Sequence, residues 1–211
     1  MSSDPYPVRL EVRPSLRFKR SHTLLRLLGL AIFLSIAAAL WLADLKELSY
    51  ALSVTWLLGI SYLVVPFTSA WAILRKGPER FLREDAPRIT AWLERYSAYY
   101  AYISLITDEI PFKQVRSVTL RVQPSGLPSA RSALLRLFIS LPSAFGFLLL
   151  LAVSTLPWLA ALLSVLVFGD YPRRLCDFQL AVLNWQARLF AYHTSLVDSY
   201  PPFALQAVAS P

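Results

Sequence analysis

The sequence predicts an all-α membrane protein of four spans, arranged as two tandem transmembrane helical hairpins, each followed by an interfacial amphipathic helix, with short cytoplasmic β-strands. Three observations predict it: a deficit of charge, long uninterrupted apolar blocks, and two sets of segments that recur in the same order. Of 211 residues, 56% are hydrophobic and 16% charged, where soluble domains carry about 25% charged residues. The apolar residues fall in blocks instead of at helical or strand period, the distribution expected of segments that face lipid.

Lys and Arg total 21 against 13 acidic residues, a net charge of +8. In a membrane protein such an excess orients the chain, so no nucleic-acid partner is expected. The single cysteine, Cys176, excludes an intrachain disulfide. His22 and His193 stand alone, without metal-ligand spacing, so no metal and no cofactor is expected. Asp4 and Glu11 precede the first apolar run, an acidic content unlike that of a signal peptide, and the run is read as retained.

Taken in order, Val8, Leu10 and Val12 alternate with polar residues, as do Val118, Leu120 and Val122, the period of a half-buried strand. The apolar run Leu27–Ala43 and the run Tyr50–Leu74 each approach or exceed the length of a span, with Asp44, Lys46 and Glu47 at the turn. Leu137–Phe168 is uncharged throughout and is read as two short spans broken at Ser154-Thr155-Leu156-Pro157, because proline disfavours helix just before it; one long tilted helix, or a hairpin that only dips in, is the alternative. After each hairpin comes a helical stripe: Ile89, Trp92, Leu93, Tyr96, Tyr100 and Ile103, then Phe178, Val182, Trp185, Leu189, Tyr192 and Leu196. Trp and Tyr favour the headgroup level, which suits a helix lying in the interface; packing of the stripe on the hairpins is the alternative.

The recurrence is explicit. Val8-Arg9-Leu10-Glu11-Val12-Arg13-Pro14-Ser15 matches Val118-Thr119-Leu120-Arg121-Val122-Gln123-Pro124-Ser125, and Leu24-Leu25-Arg26-Leu27 matches Leu134-Leu135-Arg136-Leu137. Tyr100-Ala101-Tyr102 and Asp108-Glu109-Ile110-Pro111-Phe112 match Phe190-Ala191-Tyr192 and Asp198-Ser199-Tyr200-Pro201-Pro202-Phe203. The second copy is shorter by about twenty residues, and the loss falls in its hairpin. Two units follow. Residues 1–112 hold a strand, a hairpin at 27–74, an amphipathic helix at 86–106 and an Asp-x-x-Pro-Phe box; residues 113–211 hold a strand, a hairpin at 137–168, a helix at 173–197 and an Asp-x-Tyr-Pro-Pro-Phe box.

The opening Pro5-Tyr6-Pro7-Val8-Arg9-Leu10-Glu11-Val12, the Gly169-Asp170-Tyr171-Pro172 turn, the Trp185 to Tyr192 stretch and the Asp198 to Phe203 box resemble an uncharacterised prokaryotic membrane family, domain of unknown function 4389. In the first copy Gly77-Pro78 stands for the turn and Ile110 replaces the tyrosine. The resemblance implies the fold and no activity.

If both hairpins begin and end in the cytoplasm, only Lys46 among the basic residues lies outside, the positive-inside arrangement. The expected location is therefore a prokaryotic cytoplasmic membrane, multi-pass, with both termini cytoplasmic and the two copies related by an axis along the membrane normal.

Few residues suggest a site. Asp108 and Asp198 sit at the C-terminal ends of the amphipathic helices, where negative charge opposes the helix dipole, and Arg26 and Arg136 sit at the N-terminal ends of the first spans. Each arginine is expected to pair with the aspartate of its own copy; snorkelling arginines and turn-forming aspartates are the plainer reading. Tyr200, Pro201, Pro202 and Phe203 form a candidate docking box, or an anchor for chain returning from the membrane. Arg173 and Arg174 are candidates for binding lipid headgroups. No phosphate loop, nucleophile with a recognisable base, or charged intramembrane residue is present in the sequence. The expectation is a non-catalytic accessory or assembly subunit of a larger membrane complex, partnered by the bilayer and by other membrane subunits or its own copies. A lipid-interacting or small-solute transport protein is the alternative, and an enzyme ranks behind both.

Overall fold

Alternation of apolar and polar residues makes two strands, β1 (Val8–Val12) and β2 (Val118–Val122), which pair antiparallel with Val8 opposite Val122, Leu10 opposite Leu120 and Val12 opposite Val118. Val8, Leu10, Val12, Val118 and Leu120 point into the core, while Arg9, Glu11 and Arg121 remain exposed. The outer edge of β2 is closed by a side chain: the Glu94 carboxylate accepts the Leu120 N–H at 3.0 Å. That contact blunts an edge that would otherwise invite pairing with another chain.

The computed structural model describes residues 6–15, 18–42, 54–111, 116–202 and 205. Its helices are α1 (Arg20–Leu42), α2 (Val54–Lys76), α3 (Ala86–Ile103), α4 (Ala130–Ile139), α5 (Leu141–Phe168) and α6 (Arg173–His193). One helical turn, Pro78–Arg80, and a π-helical segment, Phe81–Asp85, lead into α3. Ser129 caps α4 by accepting the Ser132 N–H at 3.1 Å. Both α2 and α5 are followed by a glycine at positive φ, Gly77 at 82° and Gly169 at 75°, a conformation that only glycine adopts without strain.

The four-span expectation is overturned. Among the described residues one helix, α5, is long and apolar enough to cross a membrane. The second half contains no hairpin, because Ser154, Thr155, Leu156 and Pro157 all lie inside one continuous helix of 28 residues. At 1.5 Å per residue that helix is about 42 Å long, enough for one tilted span, whereas two spans and a turn need roughly forty residues or more. Proline inside it removes one backbone donor, a loss that membrane helices tolerate. In the first half α1 opens with Arg20, His22 and Arg26, and α2 lays a face along α4, with Ala70 and Ile73 packed against Ala133. The expected hairpin turn at Asp44, Lys46 and Glu47 lies outside the described residues.

The amphipathic helices do not lie as an equivalent interfacial pair either. On α3, Leu93, Ser97, Ala98 and Ala101 are buried while Trp92 and Ile103 are exposed. From Gln179 to Leu189 every residue of α6 is buried, Asn184, Gln186 and Arg188 included. A helix buried all round is a core helix. The sheet packs on it, and α3, α4 and α5 surround it. Two of its buried amides reach neighbouring helices: Gln186 Nε2 donates to Tyr96 Oη at 2.5 Å and Gln179 Nε2 to the Ser154 carbonyl at 3.0 Å.

Candidate functional site

The chain leaves α3 and α6 by the same local geometry. Leu105 and Ser195, neither of them glycine, take positive φ of 63° and 61°. Ile106 N–H then returns to the Ala101 carbonyl at 2.9 Å, and Leu196 N–H to the Ala191 carbonyl at 3.1 Å. These are left-handed helix ends that satisfy carbonyls the last turn would otherwise leave open. Three residues beyond each lies an aspartate. Asp108 N–H donates to Ser15 Oγ at 2.8 Å and Asp198 N–H to Ser125 Oγ at 3.1 Å.

An arginine reaches each of these ends from a neighbouring helix. Arg26 Nη2 lies 2.9 Å from the Thr107 carbonyl and 3.3 Å from Asp108 Oδ1, with its guanidinium 3.9 Å over the Tyr102 ring. Arg136 donates from Nη1 to the carbonyls of Tyr192 at 2.6 Å and Val197 at 2.7 Å, and from Nη2 to Asp198 Oδ1; its guanidinium stands 4.6 Å over the Tyr192 ring. The structure thus brings Arg26 to Asp108 and Arg136 to Asp198. In each case the cation also covers the negative end of a helix dipole.

The clasps differ in how they treat the aspartate. Asp108 is shielded: Oδ2 accepts the Lys19 N–H at 3.0 Å, and His22 Nδ1 lies 3.2 Å from Oδ1. The Asp198 side chain is 45% exposed while Arg136 is buried. Space for Asp198 is made by Gly126, at φ 76°, where an added Cβ would stand 1.8 Å from Asp198 Oδ2.

Of the other residues singled out, Tyr200 turns inward. Its hydroxyl pairs with Ser143 Oγ and its ring meets Tyr192 edge-on at 5.4 Å. Pro201 is buried, and the Pro202 carbonyl accepts Trp185 Nε1–H at 3.1 Å. Phe203 lies outside the described residues. Arg173 and Arg174 are exposed at the start of α6, just after the membrane-length helix ends.

Sequence reading passed over a polar cluster beside the second clasp. The His193 ring lies 4.4 Å from that of Tyr62, whose hydroxyl donates to the Leu137 carbonyl at 2.7 Å and pairs with Ser140 Oγ at 2.8 Å. Burial, then the neighbouring Arg136 charge, push the pKa of His193 down to about 4, so the ring is neutral at physiological pH. Burial likewise pushes the Cys176 thiol up to about 11, with the Asp177 charge adding to the effect, which leaves a poor nucleophile. Among the described residues no group of three His, Cys, Asp or Glu is placed to hold a metal ion. Nothing in the sequence around His193 signals Tyr62, because the two are brought together only by packing of α2 on the end of α6.

Residues 130–204 match the family model described as Domain of unknown function (DUF4389). The match runs from α4 to the chain after α6, so it contains Arg136, Asp198 and the Tyr200 box, and it leaves Arg26 and Asp108 outside. One copy is matched where two tandem copies were expected. No curated protein and no solved structure matches the chain.

Proposed function

We propose that this chain is a non-catalytic, membrane-embedded accessory or assembly subunit of a larger complex in a prokaryotic cytoplasmic membrane, built from a DUF4389 segment and a diverged second copy of the same unit. One observation carries the functional reading: polar chemistry is turned inward while apolar side chains cover the outside. Arg136, Arg26, Tyr62 and Gln179 each donate to a main-chain carbonyl of another segment, and Gln186 donates to Tyr96 on α3. Leu149, Val153, Leu156, Leu163 and Val167 on α5, and Leu28, Ile32 and Ile36 on α1, are more than half exposed. An outward apolar surface of this kind fits lipid tails and the helices of other membrane proteins.

Support for the diverged copy comes from the sheet and the clasps. The register centred on Leu10 and Leu120 reads the same from either strand, and Ser15, Arg26, Leu105 and Asp108 stand in the same relations as Ser125, Arg136, Ser195 and Asp198. The basic residues Arg173 and Arg174 after α5, like Arg75 and Lys76 at the end of α2, support a cytoplasmic position for those ends by the positive-inside rule.

Gentle extraction of the tagged protein from its native membrane, followed by native mass determination, tests the reading. A stoichiometric protein partner supports an accessory subunit. Elution alone, or as a homo-oligomer holding lipid, refutes it and favours the alternative of a lipid-interacting or small-solute transport protein.

A further inference from the structure

We infer that the corner where α1 begins, α5 ends and α6 begins is a binding site for the headgroup of an anionic phospholipid, with the acyl chains laid along the outer faces of α1 and α5. The inference rests on the membrane-embedded reading and adds one particular lipid contact to it. Arg173 and Arg174 form half of the site, and tertiary packing supplies the other half from the far end of the chain.

One buried contact makes the corner. The Phe18 N–H reaches the Gly169 carbonyl at 3.5 Å, and the Phe18 ring meets the Tyr171 ring edge-on at 6.0 Å. Both rings are buried, and Tyr171 Oη is tied to the Ser104 carbonyl at 3.2 Å. Lys19 and Arg20 follow Phe18 directly, and Arg173 and Arg174 follow Tyr171 by two and three residues. At about 3.8 Å per chain step, four cations from opposite ends of the sequence therefore issue from the same place.

The fold makes no use of their charge. All four are exposed, and none is in an ion pair within the described residues. Asp170 and Asp177, exposed beside them, are in none either, which leaves four cations against two acids. Neither α1 nor α6 has an acidic residue in its first turn, so the cations add to the positive ends of two helix dipoles, where they cost stability. An anion held at this corner offsets that cost.

The surface behind the cations decides between a lipid and a soluble anion. Leaving the corner along α1, Leu24, Leu25 and Leu28 are more than half exposed; entering it along α5, so are Leu163, Val167 and Phe168. The two helices pack on each other, so these faces adjoin. Cations at the end and apolar side chains one or two turns behind follow the order of charge and hydrocarbon in a phospholipid. A free phosphate would use only the first.

The test titrates the full chain in a neutral detergent with phosphatidylglycerol or phosphatidylcholine and counts bound lipid by native mass spectrometry. Phosphatidylglycerol should bind at least tenfold tighter. Lys19→Gln, Arg20→Gln, Arg173→Gln and Arg174→Gln together should abolish that preference. The same loss of charge at four other exposed arginines, by Arg80→Gln, Arg83→Gln, Arg88→Gln and Arg95→Gln, should leave it intact. If thermal unfolding shows that the first variant has lost its fold, the Lys19/Arg20 and Arg173/Arg174 double variants decide, each expected to weaken phosphatidylglycerol at least threefold. Equal loss in both fourfold variants, or no preference in the native chain, overturns the site. Displacement of the lipid by glycerol 3-phosphate at equal concentration overturns the lipid as occupant. Reconstitution into phosphatidylcholine vesicles separates this inference from the reading beneath it: a chain that survives an alkaline wash there yet shows no lipid preference refutes the site alone, whereas one washed off refutes both.

Discussion

Replacing Arg136 with methionine should destabilise the fold more than the same change at Arg26, by an amount that follows from their hydrogen bonds. Arg136 gives two charge-assisted bonds to main-chain carbonyls at 2.6 and 2.7 Å and lies over the Tyr192 ring. At roughly 1.5 kcal/mol per charge-assisted bond and about 1 kcal/mol for the ring contact, the loss is about 4 kcal/mol. That sits within the range of about 3 to 5 kcal/mol for removing one member of a buried polar cluster. The ion pair itself adds little, because Asp198 is 45% exposed and water screens it. Arg26 gives one carbonyl bond at 2.9 Å and covers the Tyr102 ring, about 2.5 kcal/mol by the same reckoning. Asp108 would retain the Lys19 N–H and His22. For a chain of this length, roughly 2 to 4 °C in Tm accompanies each kcal/mol. Arg136→Met should therefore lower Tm by roughly 8 to 16 °C and Arg26→Met by roughly 5 to 10 °C. Thermal unfolding of the purified protein in one detergent reads both. Equal shifts, a reversed order, or a shift under about 3 °C for Arg136→Met would refute the reasoning.

Three further outcomes are expected. Gly126→Ala forces a side chain into positive φ, costing about 1 to 2 kcal/mol, and drives its Cβ into Asp198; the Tm loss should shrink when Asp198→Ala is added, and strict additivity would contradict the contact. His193 has a folded pKa lowered to about 4 against an ordinary value of 6.5, so the unfolded chain binds the extra proton between those values. The stability it contributes is complete above about pH 6.5 and falls as pH drops toward 4, by about 3 kcal/mol; denaturation at pH 7 and pH 4.5 should show His193→Phe losing less stability over that interval than the native chain. Glu94→Ala leaves the Leu120 N–H without its acceptor, at about 1 to 2 kcal/mol, and hydrogen exchange at Leu120 should quicken relative to Leu10; an unchanged ratio would mean that the carboxylate does not close that edge.

The short strands and the helical periods were legible because they are local. Alternation at Val8–Val12 and Val118–Val122 sets which side chains face inward whatever the partner, and spacings of three and four around Trp185 require a helix. The charges at helix ends were legible for the same reason, since a dipole has a fixed sign and Arg26, Asp108, Arg136 and Asp198 stand at its ends. Tertiary packing decided the rest. Pro157 reads as a break, yet a proline inside a long apolar helix costs one hydrogen bond, less than a turn with open backbone groups would cost in lipid. The aromatic stripe of α6 reads as interfacial, yet burial from Gln179 to Leu189 depends on α3, α4, α5 and the sheet all closing over it. Composition and period thus determined the elements and their apolar surfaces. Which surface meets protein, and where Tyr62 finds His193, follow from contacts between residues far apart in the chain, which no local pattern encodes.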